Sequence, residues 1–337
     1  MSQLINQSIP NSQTAMTIKE FGEADVFKQQ NDFAIPTLND GQVLIKVAYA
    51  GINPVDYKTR QGLGWGADNI RNQQFANNQP AVLGFDVAGE VVASKDSRFN
   101  IGDKVSALSF NGGCYAQYVA VAGELLAPIP NDVDLKTAGA MPCVATTAKQ
   151  LLDFAKIKQG EHVVINAPAG GVGHLLIQML MGLVDTLDVQ LSVICSKEKY
   201  QKLASLIDCD KLAGWIDYQQ YGDEQAFPEL QADVLLDLVG GQAGIKALST
   251  LKTNGKVYVL PSIWADKLKE AGADKNLQVA GFIAKPNAQD LTDMLQKVAD
   301  KQLSVHIQST YPLTEVAKAH QELEKGHSFG KIVLENN

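Results

Sequence analysis

The sequence predicts an α/β protein of two lobes, one mainly β and one a doubly wound parallel sheet. From Thr17 to about Pro130, short β-like runs are separated by Gly, Asn, Asp and Pro, the pattern of strands joined by turns. From Lys136 onward helical and strand-like stretches alternate, which implies parallel strands under covering helices. Residues 161–173, Glu-His-Val-Val-Ile-Asn-Ala-Pro-Ala-Gly-Gly-Val-Gly, read as a buried strand entering a glycine turn, and Leu175-Leu176-Ile177 continue as an apolar helix. A chain of 337 residues with 45% hydrophobic and 20% charged side chains is long enough for two cores.

Met1–Thr14 is polar, rich in Asn, Gln and Ser, and lacks the basic start and apolar run of a secretory leader, so a flexible tail is expected. Strands are expected at Gln42–Ala48, Asp86–Ala93, Lys104–Leu108 and Tyr115–Val121. A helix at Thr146–Lys156 opens the second lobe, with strands at Val163–Asn166, Gln190–Cys195, Val234–Asp237 and Lys256–Leu260 and a sixth at Gln278–Ile283. After Pro286 the pattern gives a helix at Gln289–Lys301, a strand at Ser304–Ser309, a helix at Leu313–Lys325 and a closing strand at Lys331–Leu334 that returns to the first lobe. Hinges near Lys136 and Lys285 divide the chain into 1–135 with 285–337, and 136–284. The cleft between them is the expected active site.

The glycine turn carries the first chemical inference. Gly170 lets the backbone approach a pyrophosphate, Gly173 lets the helix pack against the strand, and the amides opening the helix face the phosphates. An ordinary strand-turn-helix is the plainer alternative.

Composition excludes several classes. The net charge is -8, and no lysine- or arginine-rich stripe offers a nucleic-acid surface. Cys114, Cys143, Cys195 and Cys209 are scattered and never form a C-x-x-C pair, so a reducing, cytoplasmic setting is expected. No apolar run approaches the ~20 residues that span a bilayer. The five histidines, His162, His174, His306, His320 and His327, share no metal or triad spacing and are expected mainly at the surface. His174 follows the glycine turn and lies either near the pyrophosphate or, preferentially, toward solvent. No G-x-S-x-G elbow supports a hydrolase.

Seven separated motifs then line up: Gly51-Ile52-Asn53-Pro54-Val55-Asp56-Tyr57, Gly84-Phe85-Asp86-Val87-Ala88-Gly89-Glu90, Gly102-Asp103-Lys104-Val105, Gly113-Cys114-Tyr115-Ala116-Gln117-Tyr118, Ala167-Pro168-Ala169-Gly170-Gly171-Val172-Gly173, Asp237-Leu238-Val239-Gly240-Gly241 and Gly330-Lys331-Ile332-Val333-Leu334. In this order and spacing, over about residues 16–335, the chain resembles the medium-chain dehydrogenase/reductase superfamily, in its zinc-free, zeta-crystallin-like quinone oxidoreductase branch. The resemblance implies a GroES-like mainly-β catalytic domain wrapped around a Rossmann domain, and a homodimer joined through Rossmann edge strands, with Gln278–Ile283 as the candidate seam. The segment Gly62–Gln79, with Trp65, Arg71 and a run of Asn and Gln, departs from the family's shorter, proline-rich stretch and is expected as a loop near the substrate mouth.

Where zinc-dependent relatives carry a Cys, a His-Glu pair and a second Cys, the motif alignment here gives Asn53, Phe85-Asp86 and Cys143. One thiol and one carboxylate without an imidazole do not make a three-ligand zinc site, so no metal is expected. Without a Lewis acid a simple ketone is a difficult acceptor. Hydride addition to a quinone or an enone instead spreads the charge to a distant oxygen, where a hydrogen-bond donor suffices.

By resemblance, Asn53 and Tyr57 are the candidate catalytic residues; a turn residue before Pro54 and a half-buried aromatic are their structural alternatives. Asp86 is also explained as an acceptor at a strand start. Ala169, Gly170, Gly171, Val172 and Gly173 would cradle the pyrophosphate, and Thr147, opening its helix, would contact the nicotinamide side, with a helix cap as the alternative. The second parallel strand ends Val193-Ile194-Cys195-Ser196-Lys197-Glu198-Lys199. Ser196, Lys197 and Lys199 suit a 2′-phosphate and favour NADPH, although Glu198 also suits a ribose hydroxyl. The resemblance adds Tyr218 and Lys331 near the adenosine phosphate. The chain is therefore expected to be an NADPH-dependent, zinc-independent reductase of a quinone or another α,β-unsaturated carbonyl. The alternatives are an enoyl-thioester or alkenal reductase, and a dinucleotide-binding redox sensor with little turnover.

Overall fold

The computed structural model describes residues 9–223 and 225–336. In chain order the first part contains β1 (Ser12–Ile18), β2 (Lys28–Ala34), β3 (Gln42–Ile52), α1 (Pro54–Arg60), α2 (Gly64–Gln73), β4 (Ala81–Val82), β5 (Asp86–Ser94), β6 (Lys104–Leu108), β7 (Tyr118–Ala122) and β8 (Ala127–Pro128). Two helices, α3 (Leu135–Ala140) and α4 (Pro142–Ala155), lead into the alternating part. This comprises β9 (His162–Asn166), α5 (Gly173–Leu187), β10 (Gln190–Ile194), α6 (Lys197–Leu203), β11 (Gly214–Ile216), β12 (Ala232–Asp237), α7 (Gly241–Ala247), β13 (Leu251–Val259), α8 (Ala265–Ala271) and β14 (Gln278–Gly281). The chain closes with α9 (Ala288–Ala299), β15 (Ile307–Pro312), α10 (Val316–Glu324) and β16 (Lys331–Glu335).

The alternating part forms a six-stranded sheet in the order β11-β10-β9-β12-β13-β14, with every pair parallel. The order reverses between β10 and β12 across β9, which opens a crevice at the carboxyl ends of those strands. Val163 and Ile165 pack with Leu175, Leu176, Ile177 and Leu180 of α5 in one core. Val164, Leu235, Val257 and Val259 pack against Leu248 and Leu268 in another. Strands buried on both faces therefore read as continuous apolar runs.

The mainly-β part contains a seven-stranded sheet, β15-β16-β3-β5-β6-β8, with β7 paired to β3, and a smaller β2-β1-β4 sheet. The closing strand returns as expected: Ile332, Val333 and Leu334 pair antiparallel with Ile52, Gly51 and Ala50. This return carries residue 331 to the start of α1, almost 280 residues earlier in sequence.

Three local expectations need correction. Of the expected tail, residues 1–8 lie outside the described residues, but Ser12–Thr14 are already in β1; Gln13 is buried because its side chain accepts from Tyr118 N at 2.7 Å. The stretch 62–79 is chiefly helical, because Gly66, Ala67 and Ile70 of α2 form a buried face and Trp65 packs on Phe85 and Phe110. The strand expected at Ser304 starts at Ile307, since Ser304 N is held instead by the Gln178 side chain of α5 at 2.8 Å.

Candidate active site

The glycine turn follows β9 with Ala167 in the left-handed region, at φ 64°. Gly173 is required by close packing: a Cβ there would stand 2.2 Å from Ala167 O and 2.7 Å from the Pro168 carbonyl carbon. Gly170 differs, for its Cβ would meet nothing nearer than Ala167 O at 3.7 Å. Bare backbone thus lies open to approach at the mouth of α5, as a phosphate cradle needs. Beside it lies a cleft of about 1000 Å³ lined by Asn166, Ala169, Gly170, Lys199, Tyr218 and Val239, among others. Size, the open glycine and the ammonium fit an anionic dinucleotide.

Around this cleft the sequence candidates separate. Lys199 lines it, half-buried, with Nζ donating to Ser328 O at 3.1 Å; burial lowers its pKa. Tyr218 lines it from the segment after β11. Ser196 is the cap of α6, its Oγ accepting from Lys199 N at 3.4 Å. Lys197 is exposed and is not among the lining residues. Sequence reasoning missed Tyr221, Phe227, Gln242 and Lys246, which complete the wall. Their signal was the Asp237-Leu238-Val239-Gly240-Gly241 turn: Asp237 accepts from Val239 N and Gly240 N at 3.0–3.2 Å, and both glycines have positive φ.

A second group of candidates meets at the start of α1. Asn53 precedes Pro54 as the residue capping this helix, and its backbone N donates to Asp56 Oδ2 at 2.7 Å. The Asn53 amide Nδ2 donates to Asp86 Oδ2 at 2.8 Å, while Lys331 Nζ donates to Asn53 Oδ1 and, at 2.9 Å, to Ile52 O. Lys331 Nζ stands 3.5 Å from Asp86. The other Asp86 oxygen accepts from Cys143 N at 2.8 Å, at the opening of α4. All three side chains are buried. Lys331 is thus corrected: the β16–β3 pairing carries its ammonium to Asn53, not to the Lys199–Tyr218 end.

Below Asn53 the carboxyl of Asp56 is wholly buried, and burial, followed by repulsion from Asp86, pushes its pKa up to about 8. The Tyr115 hydroxyl approaches the same carboxyl, but no hydrogen bond of normal geometry reaches Oδ1. Tyr115 in turn meets His320 Nε2 at 3.2 Å, and Arg60 joins His320 at 3.5 Å and Glu324 at 2.7 Å. Tyr57, one turn along α1, is half-buried, and burial followed by Glu324 raises its pKa.

The expected place of Thr147 at the start of its helix is corrected as well. It lies inside α4, which begins at Pro142, and its hydroxyl interacts with the Cys143 thiol. A proline at the first helical position was the available sequence signal. The histidine expectation also fails at two places. His174 is buried with Nδ1 on Gly170 O at 3.1 Å, and burial lowers its pKa to about 4. His320 is equally buried, its pKa lowered to about 3 by burial and then by Arg60.

The aligned metal positions do not fit a zinc ion. Asn53, Phe85, Asp86 and Cys143 supply no imidazole, both Asp86 oxygens are already hydrogen-bonded, and the buried Lys331 ammonium beside it would repel a second cation. Among the described residues no group of three or more His, Cys, Asp or Glu could hold a metal ion.

Fold and site define a two-lobed α/β oxidoreductase with a Rossmann-type dinucleotide cleft beside a GroES-like lobe. The family "Alcohol dehydrogenase GroES-like domain" matches residues 39–131, and "Zinc-binding dehydrogenase" matches residues 213–334. The chain is 31% identical to the NADPH-dependent alkenal/one oxidoreductase, chloroplastic, of Arabidopsis thaliana, over 97% of this chain and 80% of that one. It is 29% identical to the Homo sapiens quinone oxidoreductase, over 95% and 97%. It superposes on the quinone oxidoreductase from Coxiella burnetii with a TM-score of 0.84 and 32% identity, covering 96% of this chain and 99% of that one. The chain belongs to the medium-chain dehydrogenase/reductase superfamily, in its zinc-free, quinone oxidoreductase-like branch, whose members are NAD(P)H-dependent enzymes.

Proposed function

We propose that this protein is a zinc-independent, NADPH-dependent reductase that adds hydride to a quinone or another α,β-unsaturated carbonyl. The observation that carries this reading is the buried Asn53–Lys331–Asp86 constellation standing where metal-dependent relatives need a ligand set. An amide donor suits an acceptor whose charge is delocalised and serves a simple ketone poorly. The names of the relatives favour the same acceptors: one is an alkenal/one oxidoreductase and others are quinone oxidoreductases.

In this reading Ala169, Gly170, Gly171, Val172 and Gly173 hold the pyrophosphate, and Lys199 and Tyr218 hold the 2′-phosphate, which selects NADPH over NADH. The dinucleotide supplies the hydride. Asn53 donates a hydrogen bond to the acceptor oxygen, and Tyr57 lines the substrate mouth; Thr147 lies on the nicotinamide side. The domain division is 1–135 with 285–337, and 136–284. NADPH oxidation should proceed with quinones and enones and be at least about a hundredfold slower with saturated ketones, the discrimination expected when Lewis-acid help is missing. Efficient ketone reduction abolished by a chelator would refute the reading.

We also propose a homodimer through β14. It is an edge strand of the six-stranded sheet, and Ile263 and Ile283 beside it are 81% and 62% exposed; unpaired edges with apolar neighbours invite pairing. Light scattering that gives a monomer mass would exclude it. No helix among the described residues is long and apolar enough to cross a membrane, and four free cysteines support the proposed cytoplasmic location.

A further inference from the structure

We propose that Lys331 and Asp86 are positioning residues that lock the Asn53 amide in one orientation, leaving its second Nδ2–H as the donor offered to the acceptor's carbonyl oxygen. The inference rests on the reductase reading above and assigns two further residues to it.

The lock follows from sign. Lys331 is a donor only and a carboxylate is an acceptor only, so an ammonium on Oδ1 and a carboxylate on Nδ2 admit one amide orientation. Turning the amide over would set N–H against the ammonium and oxygen against the carboxylate. Neither partner can follow such a turn. Asp86 is held from its other oxygen by Cys143 N at 2.8 Å, and Lys331 is held by Ile52 O at 2.9 Å. The backbone of Asn53 is fixed in turn by Asp56. Burial of Asn53, Asp86 and Lys331, at 1%, 0% and 2% exposure, keeps water from competing. Space for the clamp is made by Gly51, where a Cβ would stand 2.6 Å from Asp86 Oδ2. The clamp also adjoins the dinucleotide turn, because a Cβ on Gly171 would lie 3.6 Å from the Lys331 stem. Asn53 Nδ2 has no second acceptor among the described residues, so one N–H remains.

The test uses the full chain labelled with nitrogen isotope on asparagine, with the Asn53 signal identified by its loss in Asn53→Asp. In the unaltered protein without dinucleotide, exchange of the Asn53 side-chain amide proton bound to Asp86 should be at least about tenfold slower than that of exposed asparagines, as expected for a buried charge-assisted pair. Lys331→Met and Asp86→Asn should remove that protection, and Lys331→Arg should restore part of it. In steady state the first two should lower kcat at least about tenfold while leaving KM for the dinucleotide within about threefold, the pattern of a group acting in the transition state.

If Lys331→Met does not fold, the near-isosteric Asp86→Asn carries the same exchange test. Asn53 protection that survives in folded variants, or a raised dinucleotide KM with unchanged kcat, overturns the clamp. If the unaltered protein reduces no acceptor, the exchange pattern still decides the clamp, while the reductase reading falls.

Discussion

Replacing Lys199 with methionine preserves an unbranched stem while removing the charge that the cleft offers to a 2′-phosphate. Lys199 spends one N–H on Ser328 O at 3.1 Å, and an ammonium carries three, so two remain for a ligand. One such charge-assisted hydrogen bond is worth roughly 1.5–3 kcal/mol, and water supports the half-buried ammonium in the free protein, so a single bond is the appropriate magnitude. The dissociation constant for NADPH, followed by nicotinamide fluorescence, should rise about 10- to 150-fold. NADH presents a neutral hydroxyl at the same place, and its affinity should change by less than about threefold. Thermal stability should hold, because Ser328 O can turn to water. Equal weakening of both dinucleotides, or unchanged NADPH affinity, would refute the assignment of Lys199 to the phosphate.

The two glycines of the turn should separate stability from binding. Gly173→Ala drives a Cβ to 2.2 Å from Ala167 O and should cost about 1–3 kcal/mol in urea unfolding. Gly170→Ala meets nothing nearer than 3.7 Å, so it should fold normally and weaken the dinucleotide at least about tenfold by blocking backbone approach; the reverse pattern would show that the turn faces elsewhere. Asp56→Asn tests the buried acid. With its carboxyl pushed up to about 8 from an ordinary 3.8, the folded protein keeps a proton that the unfolded chain releases. Its contribution is therefore full below pH 4 and is lost as pH rises through 8, at up to about 1.4 kcal/mol per pH unit. The stability difference between parent and Asp56→Asn should shift in the variant's favour from pH 5 to pH 8, and a pH-independent difference would place the Asp56 titration elsewhere. Tyr57→Phe should lower kcat/KM for the acceptor while sparing NADPH affinity; a loss of NADPH binding alone would move Tyr57 out of the substrate mouth.

The parallel-sheet half was legible because its strands are buried on both faces and its helices carry large apolar residues at regular spacing, as Leu175, Leu176 and Ile177 do. Gly173 was legible for a related reason, since only backbone without a side chain allows the 2.2 Å approach there. Helix α2 was hidden because two of the three residues it buries, Gly66 and Ala67, are small, and small residues leave almost no periodic signal. His174 and His320 are polar residues satisfied by partners that local sequence does not reveal, Gly170 O for one and Tyr115, 205 residues away, for the other. Lys331 stood out in the sequence as a candidate, but its destination depends on β16 pairing with β3 across 278 residues to Asn53. Strand pattern fixes which face a residue takes and says nothing of the partner met there.

The central claim is that a dinucleotide hydride reaches a conjugated acceptor in a site that works without metal. Its most direct measurement is deuterium transfer from NADPH labelled at the reactive nicotinamide carbon, using enzyme purified and assayed in chelator with an enone as acceptor. The account predicts deuterium on the β-carbon of the product at an undiminished rate. Product free of the label, or turnover that vanishes in chelator and returns with zinc, would contradict it.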